Sequence, residues 1–231
     1  RDEVVVVSKI GYVQGQNLKS AETREQAGRP YPEVVKYGDG IWHCIHPEFL
    51  ADQLAQSLDR LGLSTLDVCL LHNPEYFLSA AAHQGSRDVT ALRDEFYGRL
   101  TKAFSYFESQ VAAGRIQCYG VSSNTVTSAE HDPESTSLSR MLDAARLAAT
   151  QAGLKTHHFR VLQCPMNLFE SGAALLPNTG VDGRQTVLGL AQQERLAVLI
   201  NRPLNAMPGQ PGGMLRLADL PLEGEPVDFA L

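Results

Sequence analysis

The chain has 231 residues, of which 43% are hydrophobic, and its 20 lysine and arginine residues against 26 aspartate and glutamate residues give a net charge of -6. The ordinary hydrophobic share excludes a disordered chain, and the mild negative charge excludes the basic stripe of a nucleic-acid-binding protein. No apolar run approaches the roughly 20 residues that a membrane helix needs. We therefore expect a cytoplasmic globular protein with neither nucleic-acid nor membrane partners.

The two ends of the chain differ in the structure that their sequences predict. The chain opens on Arg1 and enters an apolar run at once, without a signal peptide, so we expect Arg1 to be an interior residue of a longer protein. After Pro208 the sequence is rich in glycine and proline, which predicts a loop-rich tail over residues 208–231. We expect residues 1–231 to form a single domain, as a fragment of a larger fold.

Five apolar runs each end in a polar residue that can take part in chemistry, and we predict that each run is a strand. Run 4–7 is continuous, as in a strand covered on both faces. The runs are residues 4–7 before Ser8 and Lys9, 68–71 before His72 and Asn73, 116–121 before Ser122, Ser123 and Asn124, 161–162 before Gln163, and 196–200 before Asn201 and Arg202.

Helical patterns separate these strands. Pro47 suits a first helical position, the leucines that follow recur at spacings of four, four and three, and Gly62 ends the pattern. A second pattern stops at Gly114, a third stops at Gly153, and a shorter one covers about residues 185–193. The apolar positions of the first three helices are Leu50, Leu54, Leu58 and Leu61; Leu100, Ala103, Phe104, Phe107 and Val111; and Leu138, Met141, Leu142 and Ala145.

Alternation of strands and helices predicts an α/β fold with a parallel sheet. A doubly wound sheet normally signals its nucleotide site by GxGxxG after the first strand, and the segment from Gly11 to Gly15 does not fit that motif. A (β/α)8 TIM barrel places functional residues at the carboxyl ends of its strands, as this chain does, although five strands are fewer than eight. The long connections 14–45 and 73–90 leave that same edge.

The four cysteines have no CxxC spacing, and three of them lie in predicted strands, so we interpret them as reduced thiols of a reducing compartment. His43, Cys44 and His46 suggest a metal cluster. However, His46 precedes the helix that starts at Pro47 and no second ligand pair is present. We expect no metal site.

Lys9 and His72, at the ends of two successive strands, carry a resemblance to the aldo-keto reductases, a (β/α)8-barrel family of NADPH-dependent carbonyl reductases. The block LAQSLDRLGLSTLDVCLLHNP at 54–74 is the most specific part of the resemblance. The other matching stretches are RDEVVVVSK at 1–9, GRIQCYGVS at 114–122, VLQCPMN at 161–167 and NRPL at 201–204. By this comparison the chain runs from about the third barrel strand to the seventh.

The resemblance implies a role for each strand end. Lys9 and His72 match the lysine and histidine of a catalytic Asp, Tyr, Lys and His group, whose Asp and Tyr belong upstream of Arg1. A lysine beside a phenol lowers the pKa of that phenol. Ser122 and Gln163 match residues that hydrogen-bond the nicotinamide carboxamide.

Two further positions depart from the family pattern. Ser123 stands where the family often has asparagine, and Asn201 stands where some members stack an aromatic ring on the nicotinamide. We include Ser123 and Asn201 among the cofactor-binding candidates.

The resemblance therefore predicts an NADPH-dependent reductase acting on a small-molecule aldehyde or ketone. Two alternatives stay open: a catalytically inactive, aldo-keto-reductase-like regulatory or binding subunit, and a lyase that uses Lys9 as a Schiff base. Taken singly, each candidate has a structural interpretation, such as a solvated charge for Lys9, a structural histidine for His72 or a helix cap for Ser122. Their agreement at several strand ends favours the site.

Overall fold

The computed structural model describes residues 3–85, 88–207 and 215–216. In chain order its strands are β1 (Val7–Ile10), β2 (Tyr12–Val13), β3 (Val35–Gly38), β4 (Ile41–His43), β5 (Leu66–His72), β6 (Ile116–Ser122), β7 (Phe159–Pro165), β8 (Pro177–Thr179), β9 (Gln185–Thr186), β10 (Ala197–Asn201), β11 (Asn205–Ala206) and β12 (Leu215–Arg216). Its helices are α1 (Gln16–Gln26), α2 (Pro47–Leu61), α3 (Tyr76–His83), α4 (Val89–Ala112), α5 (Leu138–Gln151), α6 (Gly172–Leu175) and α7 (Val187–Gln193), with a 3₁₀ turn at Val181–Gly183.

Five strands form one parallel sheet in the order β1-β5-β6-β7-β10. Each strand of this sheet pairs with the one that precedes it, and at least one helix lies between them in the chain. A doubly wound sheet would reverse its strand order at a switch point, so this order excludes that alternative. The fold is α/β, and its helix-flanked parallel sheet is consistent with the predicted incomplete (β/α)8 barrel.

The two faces of the sheet have different character, because residues in register across a parallel sheet point to the same side. The row Ile10, Leu71, Val121 and Leu162 is almost fully buried and belongs to the main core, together with the apolar faces of the helices. The opposite face carries a smaller cluster of Val68, Leu70 and Val161, with Cys118 and Leu199 packed beside it.

The first three predicted helices are confirmed. At the start of α2, the side chain of His46 accepts a hydrogen bond from the Glu48 amide, and Pro47 occupies the first turn. The helix ends at Gly62, whose φ of 62° is the left-handed conformation that glycine adopts at low cost. Among the helices of the described residues, none is both long enough and apolar enough to cross a membrane.

Two predicted boundaries were wrong. Run 4–7 is not a strand covered on both faces: pairing with β5 begins at Val7, and Val4 and Val5 are 60% and 73% exposed. β1 lies at one edge of the sheet, so it is paired on one side within the described residues. The helix predicted over 185–193 begins only at Val187, because the Thr186 hydroxyl accepts the Gly189 amide as an N-cap.

The long connections are structured. Connection 14–45 contains α1 and most of a three-stranded antiparallel sheet in the order β2-β4-β3, and connection 73–90 contains α3. In the predicted loop-rich tail over 208–231, Leu215–Arg216 pair with Asn205–Ala206. The rest of that tail lies outside the described residues, and its loop character stays a prediction.

The Gly120 backbone packs closely against β7, and this predicts a sharp difference between two Gly→Ala variants. A Cβ atom at Gly120 would overlap the Val161 carbonyl oxygen, whereas one at Gly98 in α4 would meet no atom within 4 Å. In urea unfolding we expect Gly120→Ala to lose about 3 kcal/mol or more through overpacking. Gly98→Ala should gain about 0.5–1 kcal/mol from the helix backbone. Equal stability of the two variants would contradict the packing described at Gly120.

Candidate active site

Three of the predicted site residues lie in one row at the carboxyl edge of the sheet. His72 is in register with Ser122, and Ser122 is in register with Gln163. Lys9 belongs to the row below, in register with Leu70. The structure therefore brings four of the strand-end candidates to one face and one edge, as expected for a parallel α/β enzyme.

Gln163 joins two of these residues through a single atom. Its Oε1 accepts hydrogen bonds from Lys9 Nζ at 2.9 Å and from Ser122 Oγ at 2.9 Å. Gly120 lies in register between Leu70 and Val161 and carries no side chain, so nothing from that position occupies the face that Lys9 crosses. Lys9 is partly desolvated there, and this burial lowers the pKa of its ammonium group.

His72 is held as a neutral imidazole. Burial, and then the positive charge of Lys9, lower its pKa to about 4, because both disfavour the imidazolium form. The ring of Tyr12 packs edge-on against it, with the ring centroids 4.7 Å apart. A neutral histidine at this position can donate one hydrogen bond to a carbonyl oxygen at physiological pH.

His43 and Gly11 fix the backbone beneath His72. His43 is buried, and its Nε2 lies 2.6 Å from the His72 carbonyl oxygen. Burial lowers the pKa of His43 to about 4, so its neutral ring donates this hydrogen bond. A Cβ atom at Gly11 would lie 2.5 Å from the same oxygen and 2.6 Å from His43 Nε2, so no side chain fits at this position.

The two remaining cofactor-binding candidates are placed differently from each other. Asn201 ends β10 at the same edge of the sheet, and its Oδ1 is buried without a hydrogen-bond partner. Ser123 is fully buried in the turn after β6, where its hydroxyl accepts the Val126 amide at 3.2 Å and lies 3.3 Å from Thr136 Oγ1. The Ser123 side chain is therefore engaged within the turn, and its role toward a cofactor stays a prediction.

Arg202 is more than an exposed charge. It adopts a φ of 55°, and its guanidinium pairs with Glu170 at 2.6 Å and donates to Asn124 Oδ1 at 3.3 Å. Asn167 Nδ2 also donates to Glu170, at 2.7 Å. Burial raises the pKa of Glu170, but the hydrogen bonds from Arg202 and Asn167 outweigh burial, and the net pKa is lowered. This network ties the loops after β6, β7 and β10 together.

None of the three phenols Tyr12, Tyr31 and Tyr37 is poised to release a proton near neutral pH. Burial raises the pKa of each, whereas a general acid works best with a pKa near the working pH. Tyr12 nevertheless belongs to the site, because it contacts His72 and its hydroxyl accepts a hydrogen bond from Asn73 at 2.8 Å. Sequence reasoning missed this contact, which arises only when β2 folds over the end of β5.

The histidines of the suggested metal cluster make structural hydrogen bonds, and the cysteines form no disulfide. All four cysteines are free, and Cys44 is buried with its sulfur 3.4 Å from the Pro32 carbonyl oxygen. His43 binds the His72 carbonyl oxygen and His46 caps α2, so both have structural partners. Within 3–85, 88–207 and 215–216, no group of three or more metal-ligating side chains comes together.

Comparison with known proteins gives one family match. The model of the aldo/keto reductase family matches residues 1–137, which is more than half of the chain. This stretch contains Lys9, His72 and Ser122. No curated protein matches the sequence at a significant level.

Solved structures give weaker likenesses. An aldo-keto reductase from Bacillus halodurans in its holo form is 14% identical, with 87% of this chain and 43% of that chain covered and a TM-score of 0.43. An aldo/keto reductase from Klebsiella pneumoniae in complex with NADP and acetate is 20% identical, with 88% and 44% covered and a TM-score of 0.44. An aldo/keto reductase from Brucella melitensis is 13% identical, with 69% and 42% covered and a TM-score of 0.38. The chain therefore spans less than half the length of each of these structures, and the similarity transfers no activity.

The charge of Lys9 acting on His72 can be measured by NMR titration of the histidine rings. In the unmodified protein we expect His72 to stay neutral down to about pH 4. Lys9→Met should raise the pKa of His72 without restoring the ordinary value, because it removes a nearby positive charge but leaves the burial.

His157 is the control for this titration, because its pKa is lowered by burial and by Arg160, so Lys9→Met should leave it unchanged. A wild-type His72 that titrates near 6.5, or a Lys9→Met variant that leaves the pKa of His72 unchanged, would refute the electrostatic arrangement.

Proposed function

The chain belongs to the aldo/keto reductase family, and from that premise we propose that the full-length protein reduces an aldehyde or ketone with hydride from NADPH. Family membership supports an oxidoreductase, and the choice of carbonyl substrate and of NADPH is our inference. The observation that carries the proposal is the convergence on Gln163. One amide oxygen accepts hydrogen bonds from Lys9 and Ser122, and Ser122 stands in register with His72.

The strand ends have the donors and acceptors that a nicotinamide carboxamide needs. Ser122 carries a hydroxyl that both donates and accepts, and Gln163 carries an amide N–H₂ group with no acceptor among the described residues. Asn201 adds a buried Oδ1 that lacks a donor, and a buried acceptor without a donor is costly. We propose that these three side chains hold the carboxamide and so fix which face of the ring meets the substrate.

NADPH held by these residues would supply hydride to the carbonyl carbon, and the carbonyl oxygen would then need a proton. The neutral His72 orients that oxygen by donating a hydrogen bond, since its lowered pKa keeps it uncharged at neutral pH. Lys9 places a positive charge at the same edge, where it stabilises negative charge that develops on oxygen. The tyrosine that the family resemblance places upstream of Arg1 is our candidate for the proton donor.

Single substitutions in the full-length protein test these roles by NADPH oxidation with a panel of aldehydes and ketones. We expect Lys9→Met and His72→Ala each to lower kcat by about 100-fold or more, the usual range for acid–base groups. Gln163→Leu should raise KM for NADPH about tenfold, equivalent to about 1.4 kcal/mol of lost hydrogen bonding.

Lys155→Met is the matched control, because Lys155 is an exposed lysine outside the site, and it should leave both constants unchanged. Tight NADPH binding without turnover of any carbonyl compound would favour the regulatory-subunit alternative. Unchanged activity in Lys9→Met and His72→Ala would remove both residues from the mechanism.

A further inference from the structure

Glu75 is a buried carboxylate at the carboxyl edge of the sheet that the proposed mechanism does not use. It lies three residues after His72, immediately before α3, and is 3% exposed. Its Oε1 accepts a hydrogen bond from the Asn124 amide at 2.6 Å, across 49 positions of the chain. This contact joins the loop after β5 to the turn after β6, which begins just beyond Ser122.

The contact extends a series of backbone hydrogen bonds that joins the ends of β5, β6 and β7 at this edge of the sheet. The Asn73 amide donates to the Ser122 carbonyl oxygen at 2.7 Å, and the Ser123 amide donates to the Gln163 carbonyl oxygen at 2.9 Å. Beyond Ser123 the turn leaves the sheet, and the described strand pairing ends there. The Glu75 carboxylate then supplies the acceptor that a neighbouring strand would otherwise provide.

Burying the Glu75 carboxylate to make this link is energetically unfavourable. Its Oε2 is buried without a well-formed hydrogen bond, and among the described residues no lysine or arginine stabilises the Glu75 carboxylate. Burial raises the pKa of Glu75 to about 7, although hydrogen bonds from its own amide, the Asn124 amide, the Ser123 hydroxyl and the Thr125 amide oppose this by stabilising the charged form. Desolvating a carboxyl group is unfavourable, and the contact that Glu75 makes in this position is the hydrogen bond from the Asn124 amide, which places the turn.

We propose that Glu75 is a positioning residue that fixes the turn over residues 122–124 against the loop that follows His72. The link sets the distance between the group that binds the carboxamide, Ser122, and the group that orients the carbonyl, His72. The Asn124 side chain also accepts a hydrogen bond from the Arg202 guanidinium, so the turn is connected to the loop after β10 as well. The inference rests on the proposed function for its consequence in cofactor binding, and its geometry can be tested separately.

Three variants of the full-length protein isolate the role of the Oε1 acceptor. Glu75→Ala removes it, and Glu75→Gln keeps an oxygen that can accept the Asn124 amide. Glu108→Ala is the matched control, because Glu108 is also buried and accepts hydrogen bonds from Tyr119 and His158 away from the site. Both alanine variants should lose stability in urea, since each leaves buried donors without an acceptor.

Two readouts separate positioning from stability: the Kd for NADPH by fluorescence, and the hydrogen exchange of the Asn124 amide. We expect Glu75→Ala to weaken NADPH binding about tenfold, the equivalent of about 1.4 kcal/mol, and to speed exchange at Asn124. Glu75→Gln should restore both toward wild-type values. Glu108→Ala should leave both unchanged despite its lower stability.

The outcomes distinguish this inference from the proposed function. Wild-type NADPH affinity in Glu75→Ala, a Glu75→Gln variant as impaired as Glu75→Ala, or an equal loss of affinity in Glu108→Ala would each overturn the positioning role. If the wild-type protein itself binds no NADPH, the proposed function fails. Exchange at Asn124 then still decides whether Glu75 holds the turn.

Discussion

The candidate site depends on one shared hydrogen-bond acceptor, the Gln163 amide oxygen. Lys9 belongs to β1 and Gln163 belongs to β7, and these two strands are three positions apart in the sheet. Neighbouring strands lie about 4.8 Å apart, so a flat sheet would separate their backbones by about 14 Å. Two extended side chains bridge this span at 2.9 Å over a position occupied by glycine. The sheet must therefore curve toward this face, as strands of a barrel do.

The same curvature explains the contrast between the two faces of the sheet. The helices cover one face of the sheet, and Ile10, Leu71, Val121 and Leu162 are buried there. The opposite face, which carries Lys9 and Gln163, holds the small apolar cluster of Val68, Leu70 and Val161 and the polar strand ends. A charged lysine and a glutamine are tolerated on this face because they hydrogen-bond to each other and remain partly accessible to water.

Local sequence patterns predicted the parts of the fold that depend on local physics. The leucine spacing in α2, its proline at the first turn and Gly62 at its end are each determined by residues within one or two turns. Lys9 and His72 could be proposed as site residues because each ends an apolar run within a recognisable motif.

Contacts between distant residues could not be predicted in this way. The bond from Lys9 to Gln163 spans 154 positions, and the bond from Asn124 to Glu75 spans 49. The paired part of β1 was also misplaced, because run 4–7 has the pattern of a buried strand whereas the pairing with β5 begins at Val7. Glu75 gave no signal, since one acidic residue in a predicted loop is normally solvated.

The central claim is that the row formed by His72, Ser122 and Gln163, with Lys9 beneath it, is a nicotinamide and carbonyl site. A crystal structure of the full-length protein with NADP⁺ tests this most directly. The account predicts the carboxamide within hydrogen-bond distance of Ser122 Oγ and the Gln163 amide, with the ring at the same edge as His72. A cofactor bound elsewhere, or a carboxamide that contacts neither Ser122 nor Gln163, would contradict it.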